Sequence, residues 1–163
     1  MGVSGCGKST VGTQLAQKLG VEFLDGDDYH PPANKQKMSQ GIPLVDADRW
    51  PWLANVAHAL TQSARQHGCV IGACSALKRS YRDCLVEEAG EPILFMHLSG
   101  SKQLILSRIS GRHHEYMPAS LLDSQFATLE PPGEDENAAN ISIDQTVEAI
   151  VAAAVELFDR DKG

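Results

Sequence analysis

Short apolar runs alternate with longer amphipathic segments along the chain, and this alternation predicts an α/β domain. Four runs have the length and composition of buried strands: Val21–Asp25, Cys69–Cys74, Ile93–Leu98 and Asn140–Asp144. Helical segments separate them, as in parallel sheets, where each pair of neighbouring strands needs a crossover connection. We therefore expect a single domain, residues 1–163, with a mainly parallel β-sheet flanked by helices.

The amphipathic segments have helical periodicity. Val11, Leu15 and Leu19 recur every four residues, and Gly20 is placed to end that helix. A long helix is predicted to begin near Asp48 as its N-cap, with Pro51 in the first turn. Its apolar stripe consists of Trp50, Leu53, Ala57, Leu60 and Ala64. The last helix is predicted from about Gln145, with a stripe of Val147, Ile150, Val151, Ala154, Val155 and Phe158.

Two polar segments are predicted to be irregular. Gly111–Pro118 is rich in histidine and is framed by Gly and Pro, and Glu130–Asn137 is acidic with two prolines and a glycine. The simplest interpretation of the second is a solvated loop. The first falls within a predicted lid around residues 108–126.

The first residues match the phosphate-binding loop pattern G-x-x-x-x-G-K-[ST]. Such a P-loop turns backbone N–H groups towards an anion at a helix N-terminus. Lys8 would reach the β and γ phosphates of ATP, and the Ser9 hydroxyl would bind Mg²⁺. The alternative is a glycine-rich turn that only caps a helix. The predicted nucleotide contacts are Gly2, Val3, Ser4, Gly5, Cys6, Gly7, Lys8, Ser9 and Thr10.

A buried strand normally leads into a P-loop, yet only Met1 stands before Gly2 in this sequence. About five buried apolar residues would contribute roughly 7–15 kcal/mol of burial, which is comparable to the stability of a whole domain. We expect either a sheet that lacks its central strand or a natural chain that continues upstream of Met1, and we favour the second.

Asp25-Gly26-Asp27 stands at the end of the strand that follows the P-loop helix. The carboxyl ends of parallel strands meet at one edge of a sheet, so both carboxylates are predicted to face the P-loop. One of them could hold Mg²⁺ through water, and the other could accept or orient the proton of a substrate hydroxyl. The alternative is a turn with two solvated aspartates.

Two pairs of basic residues share a helical face. Lys78 and Arg82 are four apart after the Cys69–Cys74 strand and could converge on one anion, or form a solvated basic face. Arg108 and Arg112 stand at the start of the predicted lid and would cover the ATP phosphates on closure. Exposed surface charges are the alternative for that pair.

Composition narrows the function further. The 163 residues carry 14 basic and 21 acidic side chains, a formal charge of −7, and no basic block. A nucleic-acid partner is therefore not expected, and no apolar run of about 18 residues predicts a membrane span. The spacing of the four cysteines is not that of metal ligands, which favours reduced thiols in the cytoplasm. The four are Cys6, Cys69, Cys74 and Cys84.

Four segments together closely resemble the small bacterial-type gluconokinases, P-loop kinases related in fold to shikimate kinase and the nucleoside monophosphate kinases. They are GVSGCGKST, FLDGDDYHPPANKQKMSQGIPLVDADRWPWL, CSALKRSYRD and MPASLLDSQFATLEPP. The resemblance extends over about residues 1–160 and implies ATP- and Mg²⁺-dependent phosphorylation of D-gluconate to 6-phospho-D-gluconate by a homodimer. In the lid, the family usually has G-H-F-M where this chain has His114-Glu115-Tyr116-Met117.

On this basis Lys8 and Asp27 are the predicted catalytic residues, and Ser9 and Asp25 the predicted metal contacts. The substrate carboxylate is assigned to a basic group drawn from Arg49, Lys78 and Arg82, among which the sequence does not choose. Two alternatives stay open. One is a small-molecule kinase like shikimate kinase, although this chain has Cys74-Ser75-Ala76-Leu77 where that family is expected to have a glycine triplet. The other is a nucleotide-binding protein with impaired catalysis.

Overall fold

Four parallel strands form the sheet region of the computed structural model, which describes residues 1–110 and 119–161. They are β1 Glu22–Asp25, β2 Val70–Ala73, β3 Phe95–Ser99 and β4 Ala138–Ser142. All four predicted strands are confirmed, with ends that differ by one or two residues. Each follows from a short apolar run that is long enough for one buried strand and too short for a helix.

The strands pair in twos. β1 lies parallel to β2 with Asp25 opposite Ala73, and β3 lies parallel to β4 with Phe95 opposite Ala138. An apolar cavity of about 310 Å³ lies between β2 and β3. Within the described residues no strand precedes the P-loop.

Met1 and Gly2 connect the two strand pairs across this cavity. The Leu98 N–H donates to the Met1 carbonyl over 2.9 Å, and the Gly2 N–H donates to the Ser75 carbonyl over 3.1 Å. These bonds fix the start of the P-loop against the carboxyl ends of β2 and β3. The loop therefore reaches the edge of the sheet region where parallel strands present their ligands.

Helices pack on both sides of the strands. In the described residues they are α1 Lys8–Leu19, α2 Pro32–Ser39, α3 Asp46–His67, α4 Arg79–Ala89, α5 Lys102–Ser110, α6 Ala119–Thr128 and α7 Val147–Asp161. A 3-10 helix, Gly26–Tyr29, follows β1 directly. No helix in the two described ranges is both long and apolar enough to cross a bilayer.

The predicted faces of α1 and α7 are confirmed. Val11 and Leu15 of α1 are buried against Ile150, Val151 and Ala154 of α7. The α1 helix ends where predicted, with Gly20 as a left-handed C-cap at φ 68°. Both amphipathic helices therefore cover one side of the core, as their 3.6-residue period requires.

The start of α3 differs from the prediction. The helix begins at Asp46, and Asp48 is its third residue, whose carboxylate turns back to accept the Val45 N–H over 3.0 Å. The predicted stripe is partly wrong as well, because Trp50 is 38% exposed whereas Trp52 is buried. The buried face of the helix includes Trp52, Leu53, Val56 and Ala57.

Candidate active site

The P-loop ends in a helix N-terminus whose donors are free. Gly7 has φ 98°, a left-handed conformation that strongly favours glycine, and it directly precedes α1. In the described part of the chain, the backbone N–H groups of Lys8, Ser9 and Thr10 have no acceptor. Free donors at the positive end of a helix dipole form an anion site.

Lys8 lies folded over the same loop. Its Nζ donates to the carbonyl oxygens of Gly2 and Val3 over 3.0 and 3.1 Å. These neutral acceptors hold the ammonium group next to the anion site without neutralising its charge. A phosphate bound in the loop would therefore compete well for it, because hydrogen bonds between charged groups are the stronger ones.

The Asp25-Gly26-Asp27 segment contacts the P-loop through Asp25. Ser9 Oγ donates to Asp25 Oδ2 over 2.9 Å, and the other oxygen, Oδ1, accepts the Asp27 N–H over 3.1 Å. Asp27 is exposed, and its carboxylate has no partner in the described residues. The hydroxyl and carboxylate of Ser9 and Asp25 are hard oxygen ligands of the kind Mg²⁺ prefers. These two residues therefore fit the predicted metal site.

Gly26 is required by a close backbone approach. A Cβ atom at this position would lie 2.6 Å from the Ala73 carbonyl oxygen of β2. The Gly26 carbonyl accepts a 2.7 Å hydrogen bond from the Trp52 indole of α3. The glycine and the indole together position the two flanking aspartates.

Gln125 of α6 is a site residue that the sequence analysis missed. Its Oε1 accepts the Ser4 N–H over 2.6 Å, and its Nε2 donates to the Ser4 hydroxyl over 2.9 Å. The helix α6, most of which lies within the predicted lid, is thus bonded to the P-loop. A separation of 121 positions hides this contact from any local pattern, although Gln125 lies in one of the segments that carry the family resemblance.

Arg82 is wrong as a substrate residue. Its side chain is 1% exposed and pairs with Glu136, with Nε to Oε2 at 2.5 Å and Nη2 to Oε1 at 2.9 Å. Its Nη1 donates to three backbone carbonyls, those of Ala76, Leu77 and Glu130. A side chain this buried and this heavily bonded is out of reach of a substrate. The solvated-loop interpretation of Glu130–Asn137 is also wrong at Glu136, which is 8% exposed.

Lys78 is paired too, but at the surface. Its Nζ lies 3.0 Å from Asp46 Oδ2, and Asp46 Oδ1 accepts the Tyr81 hydroxyl over 2.5 Å. The Tyr81 hydroxyl and then Lys78 lower the pKa of Asp46, and the same carboxylate raises the pKa of Lys78. Lys78 and Arg82 therefore do not converge on one anion.

Arg49 keeps most of its donors. Its Nη2 donates to the Leu44 carbonyl over 3.1 Å, and its guanidinium carbon lies 5.6 Å from the centre of the Tyr81 ring. Its Nε is buried without a partner, and no other buried side-chain nitrogen or oxygen in the described residues is in that state. A buried donor of this kind needs an explanation, and an anionic ligand would provide one.

The predicted lid arginines are only partly described. Arg108 donates to the carbonyl oxygens of Ile143 and Gln145, just after β4. Arg112 and the His114–Met117 segment lie outside the described residues. Contact of these arginines with ATP stays a prediction.

Comparison with known proteins identifies the family. A family model described as an AAA domain matches residues 1–132. The gluconokinase of Gluconobacter oxydans (strain 621H) is 46% identical over 162 residues, which cover 99% of this chain and 90% of that protein. The chain belongs to the gluconokinase family. The thermoresistant gluconokinase of Escherichia coli (strain K12) is 40% identical over 163 residues, covering 99% of this chain and 93% of that family member.

A solved structure of the family has the same fold. The crystal structure of a gluconokinase from Sinorhizobium meliloti 1021 superposes with a TM-score of 0.87 at 44% identity, covering 98% of this chain and 89% of that one. The predicted P-loop kinase fold and the predicted family are therefore confirmed.

Proposed function

We propose that this chain transfers the γ-phosphoryl group of ATP to a terminal hydroxyl of D-gluconate, giving 6-phospho-D-gluconate. The observation that carries the proposal is the bonded series Ser9–Asp25–Asp27, which joins the anion site of the P-loop to an exposed carboxylate. The family relatives support gluconate as the acceptor. Identification of the product by ³¹P NMR tests it, with a phosphomonoester on the terminal carbon as the expected result.

The P-loop residues would hold the transferred group. The free N–H groups at the start of α1 bind phosphate oxygens, and Lys8 leaves the Gly2 and Val3 carbonyls to neutralise charge on the γ-phosphoryl group. Ser9 and Asp25 would hold Mg²⁺, which when bound neutralises phosphate charge. Gln125 keeps Ser4 in place, so the loop is ordered before ATP arrives.

Asp27 would act on the acceptor. Its free carboxylate orients the terminal hydroxyl and accepts its proton while that oxygen bonds to the γ phosphorus. The bond from this phosphorus to the bridging oxygen then breaks, and ADP leaves. Phosphoryl transfer depends chiefly on such positioning and on charge stabilisation.

Replacing Asp27 with asparagine tests this role. The amide keeps the shape but accepts a proton poorly, so we expect kcat to fall by about 10²–10⁴-fold. ATP affinity, measured by titration calorimetry, should change little because the Asp27 carboxylate has no hydrogen bond to a P-loop residue among the described residues. Asp28→Asn, at an exposed neighbour of equal charge, is the matched control. A variant with normal kcat would remove Asp27 from the mechanism.

Arg49 is the basic residue we assign to the gluconate carboxylate. Of the three predicted candidates, Arg82 is buried in its ion pair with Glu136, and Lys78 is paired with Asp46. Arg49 alone of these three has a buried unpartnered donor, and a guanidinium binds a carboxylate in a bidentate manner.

Arg49→Ala should therefore raise the KM for gluconate by about 10–100-fold, because a hydrogen bond to a charged group contributes roughly 1.5–3 kcal/mol. The KM for ATP should not change. Steady-state kinetics with each substrate varied in turn measures both. Arg65→Ala, on the exposed part of the same helix, serves as the control. A change in the KM for ATP alone would show that Arg49 acts at the nucleotide site and does not bind gluconate.

We also propose a cellular compartment and an oligomeric state for the enzyme. All four cysteines are free thiols in the described residues, and burial raises the pKa of Cys74 to about 11. Unpaired thiols suit the reducing cytoplasm. Together with the homodimer that the family resemblance implies, this gives a cytoplasmic dimer, which multi-angle light scattering tests by mass.

A further inference from the structure

His30, at the end of the 3-10 helix, is clamped beside the Asp25–Asp27 segment. Its ring is 8% exposed and stacks on Trp52, with ring centres 4.3 Å apart and planes 13° apart. Trp52 in turn is fixed by its hydrogen bond to the Gly26 carbonyl. The plane of the imidazole is therefore set relative to the residues that flank Gly26.

Asn34 of α2 determines which ring nitrogen carries the proton. Its Nδ2 donates to the Asp48 carbonyl over 2.8 Å, which fixes the orientation of the amide. The same Nδ2 lies 3.3 Å from His30 Nδ1. An amide nitrogen donates and does not accept, so Nδ1 must present its lone pair. The proton of a neutral ring then resides on Nε2.

The surroundings keep the ring neutral and leave Nε2 reachable. Burial lowers the pKa of His30; the charge of Asp27 on the 3-10 helix opposes this, and those of Arg49 on α3 and Lys35 on α2 add to it. The Nε2 atom of His30 has no hydrogen-bond partner in the described residues. Among those residues, Arg49 Nε is the one side-chain nitrogen that is both buried and without a partner, so His30 Nε2 is not buried. Nε2 therefore retains solvent access.

We propose that His30 is a specificity residue of the acceptor site, where its neutral Nε2–H donates a hydrogen bond to a hydroxyl oxygen of gluconate. The inference rests on the proposed function, since Asp27 and Arg49 are the acceptor-side residues whose charges reach this ring. A neutral donor suits an uncharged hydroxyl, while the guanidinium of Arg49 takes the carboxylate. The Asp48 carbonyl orients the Asn34 amide, and this amide sets the tautomer of His30. The imidazole therefore presents its Nε2–H to the substrate.

The tautomer is tested first, on the full chain with ¹⁵N-labelled histidine. At pH 7 the nitrogen shifts of His30 should report a protonated Nε2 and an unprotonated Nδ1. Asn34→Asp replaces the donor with an acceptor, so its His30 should gain a proton on Nδ1. A protonated Nδ1 in the unmodified chain would overturn the proposal. This readout needs no turnover and stands apart from the proposed function.

Kinetics then test contact with the substrate. His30→Leu should raise the KM for gluconate by about tenfold, the effect of losing one neutral hydrogen bond, with an unchanged KM for ATP. His30→Gln places an amide N–H near the Nε2 position and should recover most of that loss. His58→Leu, at an exposed histidine of α3, is the control.

The outcomes separate the two proposals. An unmodified chain that does not phosphorylate gluconate would overturn the proposed function, whatever the tautomer. Normal turnover of the unmodified chain, with an unchanged gluconate KM in His30→Leu and His30→Gln, would overturn the role of His30 alone. If His30→Leu does not fold, failure of the folded His30→Gln variant to keep a KM within about threefold of normal would decide against it.

Discussion

Lys8→Ala is expected to lower kcat by roughly 10³-fold while leaving the fold intact. Within residues 1–110 and 119–161 its Nζ bonds only to the Gly2 and Val3 carbonyls of the P-loop, so alanine breaks no ion pair there and exposes no buried carboxylate. The loss falls on the transition state, where the ammonium group would neutralise charge on the transferred phosphoryl group. Stopped assays of ADP release, with circular dichroism for the fold, measure the two effects separately.

The control for this variant is Lys18→Ala, which removes the same charge from the exposed last turn of the same helix. Its kcat should equal that of the unmodified chain. A Lys8→Ala variant with near-normal kcat would show that the P-loop lysine does not take part in the reaction.

Arg82→Ala is expected to act on stability. It would leave Glu136 buried without its cation, and breaking a buried ion pair costs about 3–5 kcal/mol of unfolding free energy. The substitution also removes the donors that hold the Ala76 carbonyl, where the backbone has the unfavourable φ of 45°. Urea unfolding measures the loss. The KM for gluconate of the folded fraction should stay the same, in contrast to what the i, i+4 spacing with Lys78 predicted.

Two comparisons isolate the buried pair. Arg79 lies on the same helix as Arg82 and forms a half-exposed ion pair with Asp135. Arg79→Ala should therefore change the unfolding free energy by at most about 1 kcal/mol. The double change Arg82→Met with Glu136→Leu should recover much of the stability that Arg82→Ala loses. An Arg82→Ala protein as stable as Arg79→Ala would contradict the account.

The same pair predicts a pH dependence. Arg82 lowers the pKa of Glu136 below the ordinary glutamate value of 4.5. The stabilisation is therefore fully present above that value and is lost as the pH falls through the lower folded-state pKa. The difference between the unmodified chain and Arg82→Ala should be largest near pH 7 and shrink in acid.

Much of the fold could be predicted because its signals are local. Strands β1 to β4 are short apolar runs, α1 and α7 have a clear 3.6-residue period, and the P-loop is a contiguous motif. The bond from Ser9 to Asp25 was also predictable, since both residues stand at ends of elements that parallel topology brings together. Family membership followed from long irregular segments that chance rarely produces.

The remaining site residues depend on contacts between distant parts of the chain. The spacing of Lys78 and Arg82 places them on one helical face, yet it does not say which part of that face is buried, and Glu136 lies 54 positions away. Gln125 reaches Ser4 across 121 positions. The role of Asn34 depends on the Asp48 carbonyl, a backbone atom that carries no residue-type signal.

The most direct test of the account is a coupled ATP-consumption assay on the purified, folded chain, offered D-gluconate, shikimate and a panel of nucleoside monophosphates in turn. The account predicts turnover with D-gluconate and background rates with the other acceptors. Turnover with shikimate or a nucleoside monophosphate in preference to gluconate, or no turnover with any acceptor, would contradict it.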